Sequence, residues 1–269
     1  MFGVTSGKIA IRESYIDYCS FGKGTRNLVI LPGLSTRGIK GSEMMLAYMY
    51  RMFGGEFRVF FLDRIQDVPE DYTIEDMAED TVTAMKELKI NKISLFGVSQ
   101  GGMISQVIAE RYPDFVEKVV LGVTSSKSNE MIETCVARWI EYAKAGDYIS
   151  LNIDTFYGMY SEEYLKKYRI MIPIAAKMIK PQNLNKFIIL AEACVKFNGY
   201  ESLDLIKCSV LVLGGRKDKV VSGKASEEIA EKLGCDIYMY DELGHAAYDE
   251  AKDFNDRVYA FLLGGKQIK

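Results

Sequence analysis

A chain of 269 residues, 48% hydrophobic and 26% charged, can bury a full core in one α/β domain and still carry a sizeable insertion. Its formal net charge of −3 and its scattered Lys and Arg residues exclude a nucleic-acid-binding stripe and a polybasic membrane surface. The five cysteines, Cys19, Cys135, Cys194, Cys208 and Cys235, are odd in number, widely spaced and form no Cys-x-x-Cys pair, so they suggest neither a disulfide framework nor a thiolate metal site. They are expected as buried, reduced thiols.

The N-terminus, MFGVTSGKIAIRESY, has no basic segment followed by an apolar run, and no later stretch is apolar for long enough to span a bilayer. A cytoplasmic protein is the expectation. Two extended stretches, Lys8–Glu13 and Tyr15–Cys19, are expected to pair as a hairpin. Leu28–Leu31 reads as a strand ended by Pro32-Gly33. Met44–Phe53 has helical spacing up to the Gly54-Gly55 stop, and Arg58–Leu62 is the next strand. Thr73–Leu88 reads as a helix with Glu75 and Asp76 at the positive end of its dipole. Lys92–Phe96 is a strand, Gln100–Tyr112 a helix stopped by Pro113, and Val116–Val123 a buried strand.

From Ser125 to Ser202 the strand signal disappears, and the chain becomes helical and rich in Tyr, Met and Lys. This reads as an inserted helical cap. Strand and helix then alternate again: Val210–Leu213, a helix at Ala225–Leu233, Ile237–Tyr240, and a closing helix near Asp249–Leu263. The predicted organisation is therefore an α/β core of residues 1–124 and 203–269, split by a cap at 125–202.

Between the strand at Lys92–Phe96 and the following helix stands Gly97-Val98-Ser99-Gln100-Gly101, a Gly-x-Ser-x-Gly in a strand–turn–helix setting. So tight a turn calls for glycine two positions either side of Ser99, and it projects the serine at a helix N-terminus, where negative charge is favoured. A serine hydroxyl needs a positioned base. The chain has one histidine, His245, placed after the last predicted strand. An acid should follow a strand between the two, and Asp218, at the end of Val210-Leu211-Val212-Leu213-Gly214-Gly215-Arg216-Lys217-Asp218, is the candidate that would orient the imidazole. Asp241 is the main rival, but it stands very near His245 in sequence, and Asp63 would serve only in a less common arrangement. Acyl transfer also needs donors where the carbonyl oxygen becomes negative: the backbone N–H of Gln100 and, from Leu31-Pro32-Gly33-Leu34-Ser35, that of Leu34.

The segments LPGLS, GVSQGG, GGRKDKVVS and ELGHAAYDE make the chain resemble the α/β-hydrolase superfamily, in particular its capped esterase, lactonase and carbon–carbon hydrolase branch, over nearly its whole length except the cap. The resemblance implies an α/β-hydrolase fold: a mostly parallel eight-stranded sheet flanked by helices, with an inserted helical cap. It implies a serine hydrolase acting on a small-molecule acyl substrate through Ser99, Asp218 and His245, with no cofactor, no metal and neither nucleic acid nor membrane as partner. An acyltransferase or carbon–carbon hydrolase with the same triad, and a non-catalytic ligand receptor on the same scaffold, stay open as alternatives. Three departures stand out. Pro32-Gly33 replaces the His-Gly of many relatives, Asp63-Arg64-Ile65-Gln66-Asp67 lacks the glycines usual in that loop, and Gln100 replaces the Trp of proline iminopeptidases. Within the cap, Trp139, Phe156, Tyr157, Met159, Met171 and Met178 are the candidates to line an apolar acyl pocket, with ordinary packing of the cap's own core as the alternative and the more frequent role for such residues. Glu162, Glu163, Lys166 and Lys167 read as a solvated helix face.

Overall fold

A computed structural model describes residues 3–265. The hairpin forms from β1 (Thr5–Ile11) and β2 (Ser14–Phe21), paired antiparallel with Ile11 opposite Ser14. The remaining strands are β3 (Arg26–Leu31), β4 (Phe57–Leu62), β5 (Ile93–Val98), β6 (Val116–Gly122), β7 (Ser209–Gly215) and β8 (Asp236–Tyr240). They make one eight-stranded sheet in the order β1-β2-β4-β3-β5-β6-β7-β8. β2 alone runs opposite to the other seven strands, and every pairing from β4 to β8 is parallel. Parallel pairs need crossovers, and helices supply them on both faces.

Side-chain alternation sorts the strands between those faces. Val29 and Leu31 face α2 (Ile74–Glu87), α3 (Gln100–Arg111) and α9 (Gly223–Leu233), whereas Leu28 and Ile30 face α1 (Glu43–Met49) and α11 (Phe254–Leu263). The start of α2 follows from its sequence: Thr73 and Asp76 form a reciprocal capping box.

Between β6 and β7 the chain forms α4 (Glu130–Lys144), α5 (Tyr148–Met159), α6 (Glu162–Tyr168), α7 (Met171–Met178) and α8 (Leu184–Lys196). Asn129, Asp147, Ser161 and Asn183 each accept a backbone N–H at the start of one of these helices, so local chemistry sets where they begin. Trp139, Phe187 and Leu190 of this insertion join the same apolar cluster as Val119 and Leu121 of the sheet. The carboxylates and ammonium groups of Glu162, Glu163, Lys166 and Lys167 belong to exposed residues.

Two helices differ from the sequence expectation. The helix predicted over Met44–Phe53 ends at Met49, and a 3-10 turn over Arg51–Gly55 tightens the chain so that Phe53 is fully enclosed. The closing helix is interrupted: α10 (Ala247–Glu250) stops at Ala251, which is extended, and α11 restarts at Phe254. Apolar spacing persists across the break because Ala247 and Phe254 pack into one cluster, so periodicity alone does not reveal it. Among the described residues no helix is long and apolar enough to cross a membrane.

Candidate active site

Ser99 sits at the junction of β5 and α3 with φ 54° and ψ −121°, a conformation sparsely occupied by any residue with a side chain. The turn is as crowded as its sequence implies. A Cβ on Gly97 would lie 2.3 Å from the Gly101 carbonyl oxygen, and one on Gly101 would lie 2.0 Å from that of Leu31. Two further bonds lock the elbow: Thr124 Oγ1 donates to the Ser99 carbonyl at 2.6 Å, and Ser105 Oγ donates to that of Gly101 at 2.8 Å.

The three residues singled out as a triad come together although they lie far apart in the chain. His245 Nε2 is 2.9 Å from Ser99 Oγ, and His245 Nδ1 is 2.8 Å from Asp218 Oδ2. Both His245 and Asp218 are buried. The other carboxylate oxygen of Asp218 accepts the backbone N–H groups of Val220 and Val221 at 2.8 and 2.9 Å, which aims Oδ2 at the imidazole. The two rival acids stand elsewhere. Asp241 pairs at the surface with Arg216, 2.7 Å away, and Asp63 accepts the backbone N–H groups of Arg64 and Ile39 at 2.8 and 3.3 Å.

Gln100 opens α3, so its backbone N–H belongs to the first turn, which has no intrahelical acceptor. The loop after β3 passes close by: a Cβ on Gly33 would come 3.2 Å from Ser99 Cβ, and Leu34 follows directly. The Gln100 side chain has a second part that its position in the motif did not suggest. Its Nε2 donates to the Leu190 carbonyl of α8 at 2.8 Å and reaches Cys194 Sγ at 3.1 Å. Burial pushes the Cys194 thiol up to about 11, so it stays protonated and inert at neutral pH.

Similar bonds tie the insertion to the loops that carry Asp218 and His245. Asn129 Nδ2 donates to the Val221 carbonyl at 2.9 Å in the Asp218 turn, and Ala246, beside His245, donates its N–H to the Met159 carbonyl at 2.8 Å. Ser161 reinforces the last contact through its N–H and hydroxyl, both of which donate to Glu250.

A cavity of about 200 Å³ adjoins the Ser99 turn at Gln100 and the loop after β3 at Gly33. None of Trp139, Phe156, Tyr157, Met159, Met171 or Met178 lines it, so of the two expectations for these residues that of an acyl pocket does not hold for this cavity. Trp139 is buried with its Nε1 donating to Asp154 at 2.9 Å, Phe156 stacks on Tyr160, and Tyr157, Met171 and Met178 are exposed. The insertion contributes Gln182, Asn183, Lys186 and Leu190 to the cavity instead. Size and apolarity do not say which helix face looks toward Ser99. The opposite wall carries Asp63 and Arg64, from the loop whose missing glycines were the visible signal.

Arg64 is buried, and desolvation lowers its pKa. Its Nη2 donates to the Pro32 carbonyl at 2.5 Å, bracing the loop that carries Gly33 and Leu34, while its Nε is enclosed without a partner. Lys186 Nζ donates to the Arg64 carbonyl at 3.1 Å and to Gln66 Oε1 at 3.2 Å, and burial lowers its pKa as well. Among the described residues no group of three His, Cys, Asp or Glu side chains is placed to hold a metal ion.

A family profile described as alpha/beta hydrolase fold matches residues 62–149. The mouse protein named serine hydrolase BPHL is 24% identical over 96% of this chain and 87% of its own length. Among solved structures, MGS-M2, an alpha/beta hydrolase enzyme from a Medee basin deep-sea metagenome library, superposes with a TM-score of 0.82 at 18% identity over 98% of this chain and 99% of its own. The enol-lactonase from Burkholderia xenovorans LB400 does so with a TM-score of 0.79 at 19% identity, over 96% and 100% of the two chains.

Proposed function

This chain belongs to the α/β-hydrolase superfamily, and we propose that within it the chain is a serine hydrolase that cleaves a carboxylic ester, a lactone or a similar acyl bond. The observation that carries this reading is the unbroken hydrogen-bonded series from Asp218 through His245 to Ser99. The names of the relatives, a serine hydrolase and an enol-lactonase, agree with it.

In this reading neutral His245 accepts the Ser99 hydroxyl proton at Nε2 while Oγ attacks the substrate carbonyl carbon. Asp218 holds the Nδ1–H and stabilises the imidazolium that forms. The carbonyl oxygen becomes an anion facing the N–H groups of Gln100 and Leu34. As the intermediate collapses, His245 returns its proton to the leaving oxygen and an acyl-enzyme remains on Ser99. Water, deprotonated by His245, then attacks the acyl carbon, and collapse releases the acid and restores the serine. The φ of Ser99 supports catalysis over passive ligand capture, because such backbone conformations cost about 1–3 kcal/mol and a receptor would gain nothing from one. The free, largely buried cysteines agree with a reducing, cytoplasmic setting.

The test is labelling with a fluorophosphonate, followed by identification of the modified residue and a survey of short- and medium-chain esters. Modification of Ser99 is expected, with labelling and turnover both lost in Ser99→Ala while its melting temperature is retained. A Ser99→Ala protein that turns over esters at the wild-type rate overturns the assignment.

A further inference from the structure

The cavity beside the nucleophile turn holds two cations that the protein leaves without a counterion in contact. Arg64 and Lys186 hydrogen-bond only to neutral oxygens, those of Pro32, Arg64 itself and Gln66. Among the described residues neither takes part in an ion pair, and Arg64 places only Nη2 on a protein acceptor. Asp63 and Asp17 ease the burden of these charges from longer range. Their carboxylates are otherwise engaged: Asp63 accepts backbone N–H groups, and Asp17 Oδ2 accepts Gln66 Nε2 at 2.9 Å. A buried cation without a charged acceptor is costly, and an anion that enters the cavity relieves that cost. Arg37, exposed at the cavity wall, adds positive charge at its approach.

The position of the cavity says which end of a substrate it takes. The leaving oxygen must lie where His245 Nε2 can protonate it, and neither His245 nor its loop contributes to the cavity wall. Gly33 and Gln100, which flank the place of the reacting carbonyl oxygen, do contribute. The cavity therefore extends from the acyl side of the carbonyl. Its volume of about 200 Å³ is below the roughly 300–1,000 Å³ of drug-sized pockets, which restricts it to short chains.

We propose that this cavity is a carboxylate subsite, and that the preferred substrates are short dicarboxylic acids esterified at one end, with the free carboxylate held between Arg64 and Lys186. This rests on the serine-hydrolase reading for turnover, but not for binding. Both can therefore be tested separately.

Mono-(4-nitrophenyl) glutarate and 4-nitrophenyl valerate share a leaving group and a chain length and differ in the terminal carboxylate. At constant ionic strength the glutarate ester is expected to have the higher kcat/KM by roughly tenfold or more, the scale of one charge-assisted contact. Lys186→Met should bring that ratio close to unity, whereas Lys180→Met, an exposed lysine outside the cavity, should leave it as in the wild type. A carboxylate on the leaving group, as in 4-acetoxybenzoate against phenyl acetate, should give no such advantage. Arg64→Lys is the companion variant because it keeps a cation near the loop that Arg64 braces, and it should lower the ratio less than Lys186→Met does. Calorimetric binding of glutarate itself, weakened roughly tenfold in Lys186→Met, reads the subsite without turnover. A wild type that prefers valerate, a ratio indifferent to Lys186→Met, or no glutarate binding at millimolar concentration overturns the proposal. Failure of fluorophosphonate to label Ser99 would instead overturn the hydrolase reading and leave the calorimetric result standing.

Discussion

At the scale of single residues, Asp218 shows how a side chain's two ends are assigned different work. One oxygen is fixed by two backbone N–H groups, so the other has no freedom except to face His245. In Asp218→Asn the carbonyl oxygen of the amide would keep the two backbone donors, and the NH₂ group would be turned toward Nδ1. That forces the proton onto Nε2, and the imidazole then cannot accept one from Ser99. Turnover is expected to fall by roughly 10³–10⁴ with little loss of melting temperature, as measured by steady-state kinetics and thermal denaturation. Asp241→Asn removes only a surface ion pair with Arg216 and should leave turnover within about twofold of wild type. If Asp241→Asn or Asp63→Asn proves more damaging to turnover than Asp218→Asn, the orienting acid is misassigned.

At the scale of elements, the insertion contacts the Ser99 turn through Gln100 and Leu190, the Asp218 turn through Asn129 and Val221, and the His245 loop through Met159 and Ala246. Asn129 has two tasks. Its Oδ1 caps α4 by accepting from Met131 and Ile132, and its Nδ2 holds the Val221 carbonyl. The two can be separated. Asn129→Asp keeps the cap and loses the donor, so it should retain stability but lower kcat by loosening the turn that aims Asp218. Asn129→Ala loses both and should cost about 1–2 kcal/mol in addition. Equal melting temperatures for the two variants would show that the cap contributes nothing, and equal kcat for wild type and Asn129→Asp would show that the Asp218 turn does not depend on the insertion.

At the scale of the whole molecule, the insertion and the sheet share one apolar cluster, in which Trp139 and Leu190 are continuous with Val119, Leu121 and Val212. A shared core couples the two in unfolding. Scanning calorimetry should therefore give a single transition with equal calorimetric and van't Hoff enthalpies, and two resolved transitions would mean that the insertion unfolds independently. The chain's own pattern already determined the eight strands, the crossover helices and the elbow, because these rest on local periodicity, on turn residues and on the tolerance for glycine around Ser99. The breaks at Tyr50 and Ala251 were not legible, since burial keeps the apolar spacing going while the backbone turns. Nor was the cavity wall. That Ser99, His245 and Asp218 meet was within reach of sequence reasoning because one histidine, one elbow and three candidate acids left few combinations. Arg64 and Lys186 lie 122 positions apart and match no spacing rule. Their meeting, like the side-chain bond from Gln100 to Leu190, depends on how α8 packs across the ends of the strands, and packing of that kind is decided only by the whole set of tertiary contacts.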